Sequence, residues 1–123
     1  MATKAVGTDI TIVASGDLSA NQYRAVKLDA NGRTVAVSTQ GDVATLGVQQ
    51  DKPSALGQPS TVRISGITKA VAGAAIAVGA RVTPNATGQM ITGTTGNQVV
   101  GIALTAAASG DIFSVLLDSR GVV

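Results

Sequence analysis

Residues 23–37 read YRAVKLDANGRTVAV. Two runs mixing apolar and polar residues flank Asp29-Ala30-Asn31-Gly32. Asn-Gly tolerates the positive φ angles of a type I′ turn, so the stretch predicts a β-hairpin with strands over 23–28 and 33–37. Strand alternation places Tyr23, Ala25 and Lys27 on one face and Arg24, Val26 and Leu28 on the other.

The same grammar extends outward. Upstream, 9–14 (DITIVA) is a strand closed by Ser15-Gly16-Asp17, while 1–8 (MATKAVGT) carries no period and is read as a flexible arm. Downstream, a turn at 39–42 leads to a strand over 44–49. A loop over 51–59 carries Pro53, Gly57 and Pro59. Residues 61–65 alternate with Val62 and Ile64 on one face; Gly66 breaks the run, and 67–71 continue it. The Ala-rich stretch 70–78 holds Gly73 and ends at Gly79, which favours strand–turn–strand over a helix. Strands over 81–83 and 89–92 flank a second hairpin turn, 84–88 (PNATG). A strand over 99–104, a loop over 106–110 and a final apolar strand over 112–117, central and buried on both faces, complete the chain.

Composition points the same way. The 123 residues make one domain. Hydrophobic residues supply 45% and charged residues 13%, which excludes a disordered, solvating chain. Every acidic residue is Asp, whereas Val, Ile, Thr, Gly and Ala are abundant. Stiff, β-branched side chains suit a pleated surface. The expected fold is all-β: a compact barrel- or sandwich-like domain over 9–123 behind an arm over 1–8. Aromatics are only 2%, so the core is built from small aliphatic groups and lone stability is modest. Oligomerisation or docking on a larger body would offset that.

The two halves share an order of turns and strands. Asp29-Ala30-Asn31-Gly32 matches Asn85-Ala86-Thr87-Gly88, and Leu46-Gly47-Val48 matches Val100-Gly101-Ile102. The repeat units are about 17–66 and 75–123. The match rests largely on glycines, which any two β-meanders share, so duplication and coincidence both stand as readings.

Little chemistry is available. His and Cys are absent, which removes histidine acid–base work, Ser-His-Asp and Cys-His schemes, disulfides and most zinc or copper sites. The seven Asp residues are scattered, mostly beside Gly, Asn or Ser, and read as turn residues that cap local N–H groups. No alternating acidic run suits Ca²⁺. No cofactor is expected. The net charge of +2 is spread along the chain without the clusters and interleaved aromatics of nucleic-acid binders. No stretch is long and apolar enough to span a bilayer. The chain is therefore expected to be a soluble protein made in the cytoplasm, with neither nucleic acid nor membrane as partner.

Three passages together resemble a known family. Residues 15–32 (SGDLSANQYRAVKLDANG) resemble the opening of small phage capsid cement, or head decoration, proteins. Residues 44–89 are similar to that family's core pattern: a Gly-Val strand, a Pro/Gly loop, a V-x-V/I-x-G strand and an A-G-x-x-I-x-x-G-x-x-V run. Residues 99–117 (VVGIALTAAASGDIFSVLL) resemble its closing element. No single motif is catalytic; the specificity lies in the order of many weak elements. The resemblance implies a virion structural protein, not an enzyme, made in the host cytoplasm and bound to the outer surface of the capsid. It implies the major capsid protein as partner and a homo-oligomer, with a trimer favoured. The arm supplies the candidate capsid contacts: Ala2, Thr3, Lys4, Ala5, Val6, Gly7 and Thr8. Alternatives are a phage tail or baseplate component, or a carbohydrate-binding β-module, against which the shortage of aromatics counts.

Overall fold

The computed structural model describes residues 7–118. In chain order the strands are β1 (Gly7–Val13), β2 (Ala25–Leu28), β3 (Thr34–Ala36), β4 (Thr45–Gln49), β5 (Pro59–Val71), β6 (Arg81–Pro84), β7 (Met90–Thr92), β8 (Gly101–Ala103) and β9 (Ile112–Leu117). One 3-10 turn, Ser19–Asn21, precedes β2. The fold is all-β, as composition implies. All nine strands join one curled sheet in the order β3-β2-β4-β5-β9-β8-β6-β7, with β1 added to β5. Every strand pair is antiparallel.

That order reads the same from either end: β3-β2-β4-β5 in one half and β7-β6-β8-β9 in the other. Local detail follows suit. Asp29 Oδ1 accepts the N–H groups of Asn31 and Arg33, and Asn85 Oδ1 accepts those of Thr87 and Gln89. Gly32 and Gly88 both donate back to the first residue of their turn and both have positive φ.

The hairpin expected at 29–32 forms, but its turn is of another type. Positive φ occurs at Gly32 and not at Asn31. Leu28 pairs with Thr34, and Asp29 N–H donates to Arg33 O, so the tip is a longer loop with a left-handed glycine. The Asp29 carboxylate, capping two amides at once, favours this form over a two-residue turn.

Tyr23 is the second difference. It lies outside the strand, with φ 63°, the sole non-glycine positive φ among the described residues. Its N–H donates to Gln49 O and its carbonyl accepts from Val71 N–H, so long-range pairing sets its conformation. Ala25 and Val26 are both buried, so simple alternation fails there.

Gly66 bends the chain without ending the strand. β5 runs on through it with φ 88°, pairing with β1 and β4 before the bend and with β9 from the bend onward. Residues 74–78 make no named strand; Ile76 forms only an isolated bridge with Ala107. The chain bends at 73–74, where the Gly73 N–H donates to Met90 O and any Cβ would strike the Asn85 side chain. β9 lies between β5 and β8, as expected of a central strand, with Phe113, Ser114 and Val115 buried.

The core is aliphatic. Phe113 is its one aromatic ring, surrounded by Val37, Val48, Val82, Met90, Val115 and several alanines. No helix among the described residues is long and apolar enough to cross a membrane.

Candidate functional site

Among the sequence-derived candidates, Ala2, Thr3, Lys4, Ala5 and Val6 lie outside the described residues. Gly7 and Thr8, read from sequence as part of the arm, are instead the first two residues of β1, opposite Gly66 and Ser65. Strand pairing reaches further toward the N-terminus than the DITIVA pattern suggested. The reason is the glycine itself: a Cβ at Gly7 would collide with the Ser65 carbonyl oxygen, so only this residue lets the backbones approach there.

Gly66 faces Gly7 on one side and Leu117 on the other. Both ends of the described chain therefore lie at the β5 bend. A fork of hydrogen bonds fixes this junction. Arg63 Nε and Nη2 donate to the Asp9 carboxylate at 2.7 and 3.1 Å, and Nη1 donates to Ile67 O at 2.9 Å. The guanidinium thus ties β1 to β5 and clasps β5 across its own bend. The Arg63 hydrogen bond, aided by its charge, holds the Asp9 carboxyl below its ordinary range and raises the guanidinium pKa in return.

Beside this junction lies a cleft between the halves, lined by Val43, Ile64, Met90, Val99, Leu117 and Asp118 among others. Val43 is 72% exposed at its rim. The Lys27–Asp42 ion pair, at 2.9 Å, anchors the preceding loop. The Ala44 N–H, then Lys27, lower the Asp42 pKa. At other turns Leu56 and Val78 are 61% and 67% exposed.

Asp17, Asp29, Asp42 and Asp111 each accept a backbone N–H two or three positions away, the role assigned to them from sequence, whereas Asp51 accepts the Thr61 N–H ten positions on, at the start of β5. No group of three or more metal-ligating side chains occurs among the described residues. Tyr23 is half-buried with Lys69 Nζ 6.0 Å from its ring centroid. Sequence reasoning missed the Asp9–Arg63 clasp, whose members stand 54 positions apart and carry no local signal.

The arrangement offers loop tips with exposed aliphatic side chains and a cleft of mixed polar and apolar lining, which suit binding to another protein surface. Comparison with known proteins agrees. Among solved structures the chain is similar to the N base of the head fibre protein gp8.5 of bacteriophage phi29, with TM-score 0.71 and 17% identity, covering 94% of this chain and 97% of that one. At that identity the likeness speaks for the fold. No curated protein matches the chain. The family model for phage cement proteins matches residues 2–118, nearly the whole sequence. The chain belongs to the phage cement protein family and is a structural protein of the virion, located on the capsid.

Proposed function

We propose that this protein reinforces the assembled phage head by bridging neighbouring subunits of the major capsid protein on the outer surface. The observation that carries this reading is the family match over residues 2–118. The site geometry gives it a form. Residues Ala2 to Val6 lead into the edge strand β1 at the Gly7–Gly66 junction, so a segment that orders on a capsid subunit would be anchored directly to the sheet. Gly7 and Thr8 form the root of that contact.

The protein acts as a homo-oligomer, a trimer being the state that the family resemblance favours. Many weak contacts, linked within one oligomer, then add up through avidity. The role requires no catalysis, nucleic acid or membrane: His and Cys are absent, and five of the seven Asp residues are engaged by backbone N–H groups. The body is one domain whose halves, about 17–66 and 75–123, are copies of one unit; the mirrored strand order supports this.

The test is to mix purified protein with expanded capsids stripped of decoration, pellet them and count bound copies. Saturation at a lattice-determined ratio, with a shell more resistant to heat, is expected. Absence of binding would overturn the proposal. Deleting residues 2–6 should weaken binding at least tenfold while leaving the melting point of the free protein unchanged; unaltered affinity would remove the arm from the contact.

A further inference from the structure

We infer that one copy docks head to tail on a second: Gly79–Arg81 of the first copy enter the groove between β1 and the 29–33 hairpin tip of the second. This repeats between chains a contact that joins the two halves within one chain.

The halves correspond bond for bond. β1 pairs with β5 from Val13 opposite Pro59, and the second part of β5 pairs with β9 from Val71 opposite Ile112. The next residues, Ala14 and Ala72, each make a parallel bridge, to Thr34 and to Met90. Tyr23 N–H donates to Gln49 O, and Gln49 N–H to Arg24 O. Gly79 N–H donates to Ala103 O, and Ala103 N–H to Ala80 O. Tyr23 and Gly79 also share a positive φ, 63° and 83°. Val13, Tyr23, Ala25, Leu28 and Gly32 thus correspond to Val71, Gly79, Arg81, Pro84 and Gly88.

Within the chain, the first half seats on the second through Tyr23–Ala25. Val71 N–H donates to Tyr23 O at 3.0 Å, Ala25 N–H to Gly88 O at 2.8 Å, and Gly41 N–H to Pro84 O at 2.8 Å. The reverse contact is not made: among the described residues neither Gly79 O nor Gly32 O accepts a backbone N–H. The junction is therefore heterologous, and such a contact leaves one face of each unit unmatched. The unmatched receiving face is the groove lined by Thr11, Val13, Asn31, Arg33 and Pro59. Ala14 N–H donates to Gln58 O, so strand alternation turns the Val13 N–H away from β5, as the Val71 N–H is turned toward Tyr23.

Burial records the same asymmetry. Gly41 and Gly96 are positive-φ glycines of the turns before β4 and β8. Ala25, Gly41, Pro84 and Gly88, at the internal junction, are buried, whereas their counterparts Arg81, Gly96, Leu28 and Gly32 are exposed. The chain itself names the occupant: Tyr23–Ala25 fills the second half's groove, and Gly79–Arg81 is the unused equivalent of that segment. Arg81 stands where the first half has Ala25, and the receiving hairpin supplies a carboxylate, Asp29, where the second half has the neutral Asn85. An ion pair there takes the place of apolar packing.

A heterologous contact closes into a ring or continues as a filament. It gives the homo-oligomer proposed above its interface; the number of copies rests on that reading, and the contact itself does not.

The cysteine-free sequence permits a direct test in solution, without capsids. A Cβ at Gly88 would lie 3.2 Å from the Arg24 Cβ of the same chain. Gly32 and Ala80 are the counterparts between chains, near the roughly 3.5–4.5 Å that a disulfide spans between Cβ atoms. Gly32→Cys mixed with Ala80→Cys should give a covalent heterodimer on mild oxidation. Its yield should exceed at least fivefold the dimer from either variant alone and from Gly32→Cys mixed with Ala108→Cys, an exposed control. Leu28→Glu should weaken self-association of the otherwise unmodified chain at least tenfold in sedimentation equilibrium. Equal yields from all these samples, or association unaffected by Leu28→Glu, would overturn the head-to-tail contact. Both readings are independent of capsid binding, so failure here and failure of the cement reading are separable.

Discussion

Gly47 and Gly101 occupy equivalent places in the two halves. A Cβ at Gly47 would strike the Arg63 carbonyl oxygen, and one at Gly101 the Leu116 carbonyl oxygen. Neither residue has a positive φ, so close backbone approach and not conformational freedom is what requires glycine. Gly47→Ala and Gly101→Ala should each destabilise by about 1–3 kcal/mol, the usual cost of overpacking, and lower the melting point by roughly 5–15 °C. Calorimetry of the two variants checks this. The opposite sign is expected at Thr34. It is fully buried, and its Oγ1 has no hydrogen-bond partner among the described residues. Met90, bridged to Ala72 as Thr34 is to Ala14, fills the matching place with an apolar group. Thr34→Val removes a buried hydroxyl while keeping its shape, and should raise stability by about 1 kcal/mol, read from denaturant midpoints.

At the scale of elements, β5 organises the sheet. Its first part carries β1 and β4, its second part β9, and Arg63 clasps the bend between them. Lys cannot present the planar fork that reaches both Asp9 oxygens and Ile67 O. Arg63→Lys should therefore release β1 while leaving β9 in place. Because the pair is partly exposed, the loss in global stability should be about 1 kcal/mol or less. Amide exchange should quicken in β1 and remain slow in β9; uniform acceleration in both would show that the clasp does not act locally. The same element frames the acid response. Asp9, Asp17 and Asp42 have lowered pKa values, caused first by hydrogen bonds from Arg63, from the Ser19 hydroxyl and from the Ala44 N–H respectively. A lowered folded-state pKa means that the unfolded chain binds protons first as pH falls. The stabilisation is present above the ordinary carboxylate range and is lost as pH drops through the lowered values. Thermal midpoints should be nearly flat from about pH 5 to 8, since no histidine titrates, and should fall below about pH 4. Asp9→Asn should flatten part of that acid limb.

At the scale of the whole molecule, a core with one aromatic ring has little redundancy. Phe113 is 0% exposed and lies on the central strand β9. Phe113→Ala should cost about 3–5 kcal/mol, a large part of the 5–15 kcal/mol typical of a domain. The expected result is a melting transition lowered by more than about 10 °C or lost. A capsid-bound sample should retain more structure than the free variant, because binding the folded state adds stability.

The amino-acid sequence by itself determined the all-β class, the two hairpin tips and the turn role of the aspartates. Those features depend on nearest neighbours: β-branched runs, glycines at loop ends, and carboxylates that cap amides two to four positions away. The order of glycine-marked strands also carried the family resemblance, because that order survives when individual side chains change. Only the tertiary structure decided that β5 continues through Gly66, that Tyr23 takes a left-handed conformation, that Gly7 and Thr8 belong to β1, and that Asp9 meets Arg63. Each of these is enforced by a hydrogen bond or close approach between residues far apart in the chain, Gly7 with Gly66 or Tyr23 with Gln49 and Val71. Local periodicity holds no record of which strand lies beside which. That choice is made when the sheet closes and its backbone donors and acceptors must all be paired.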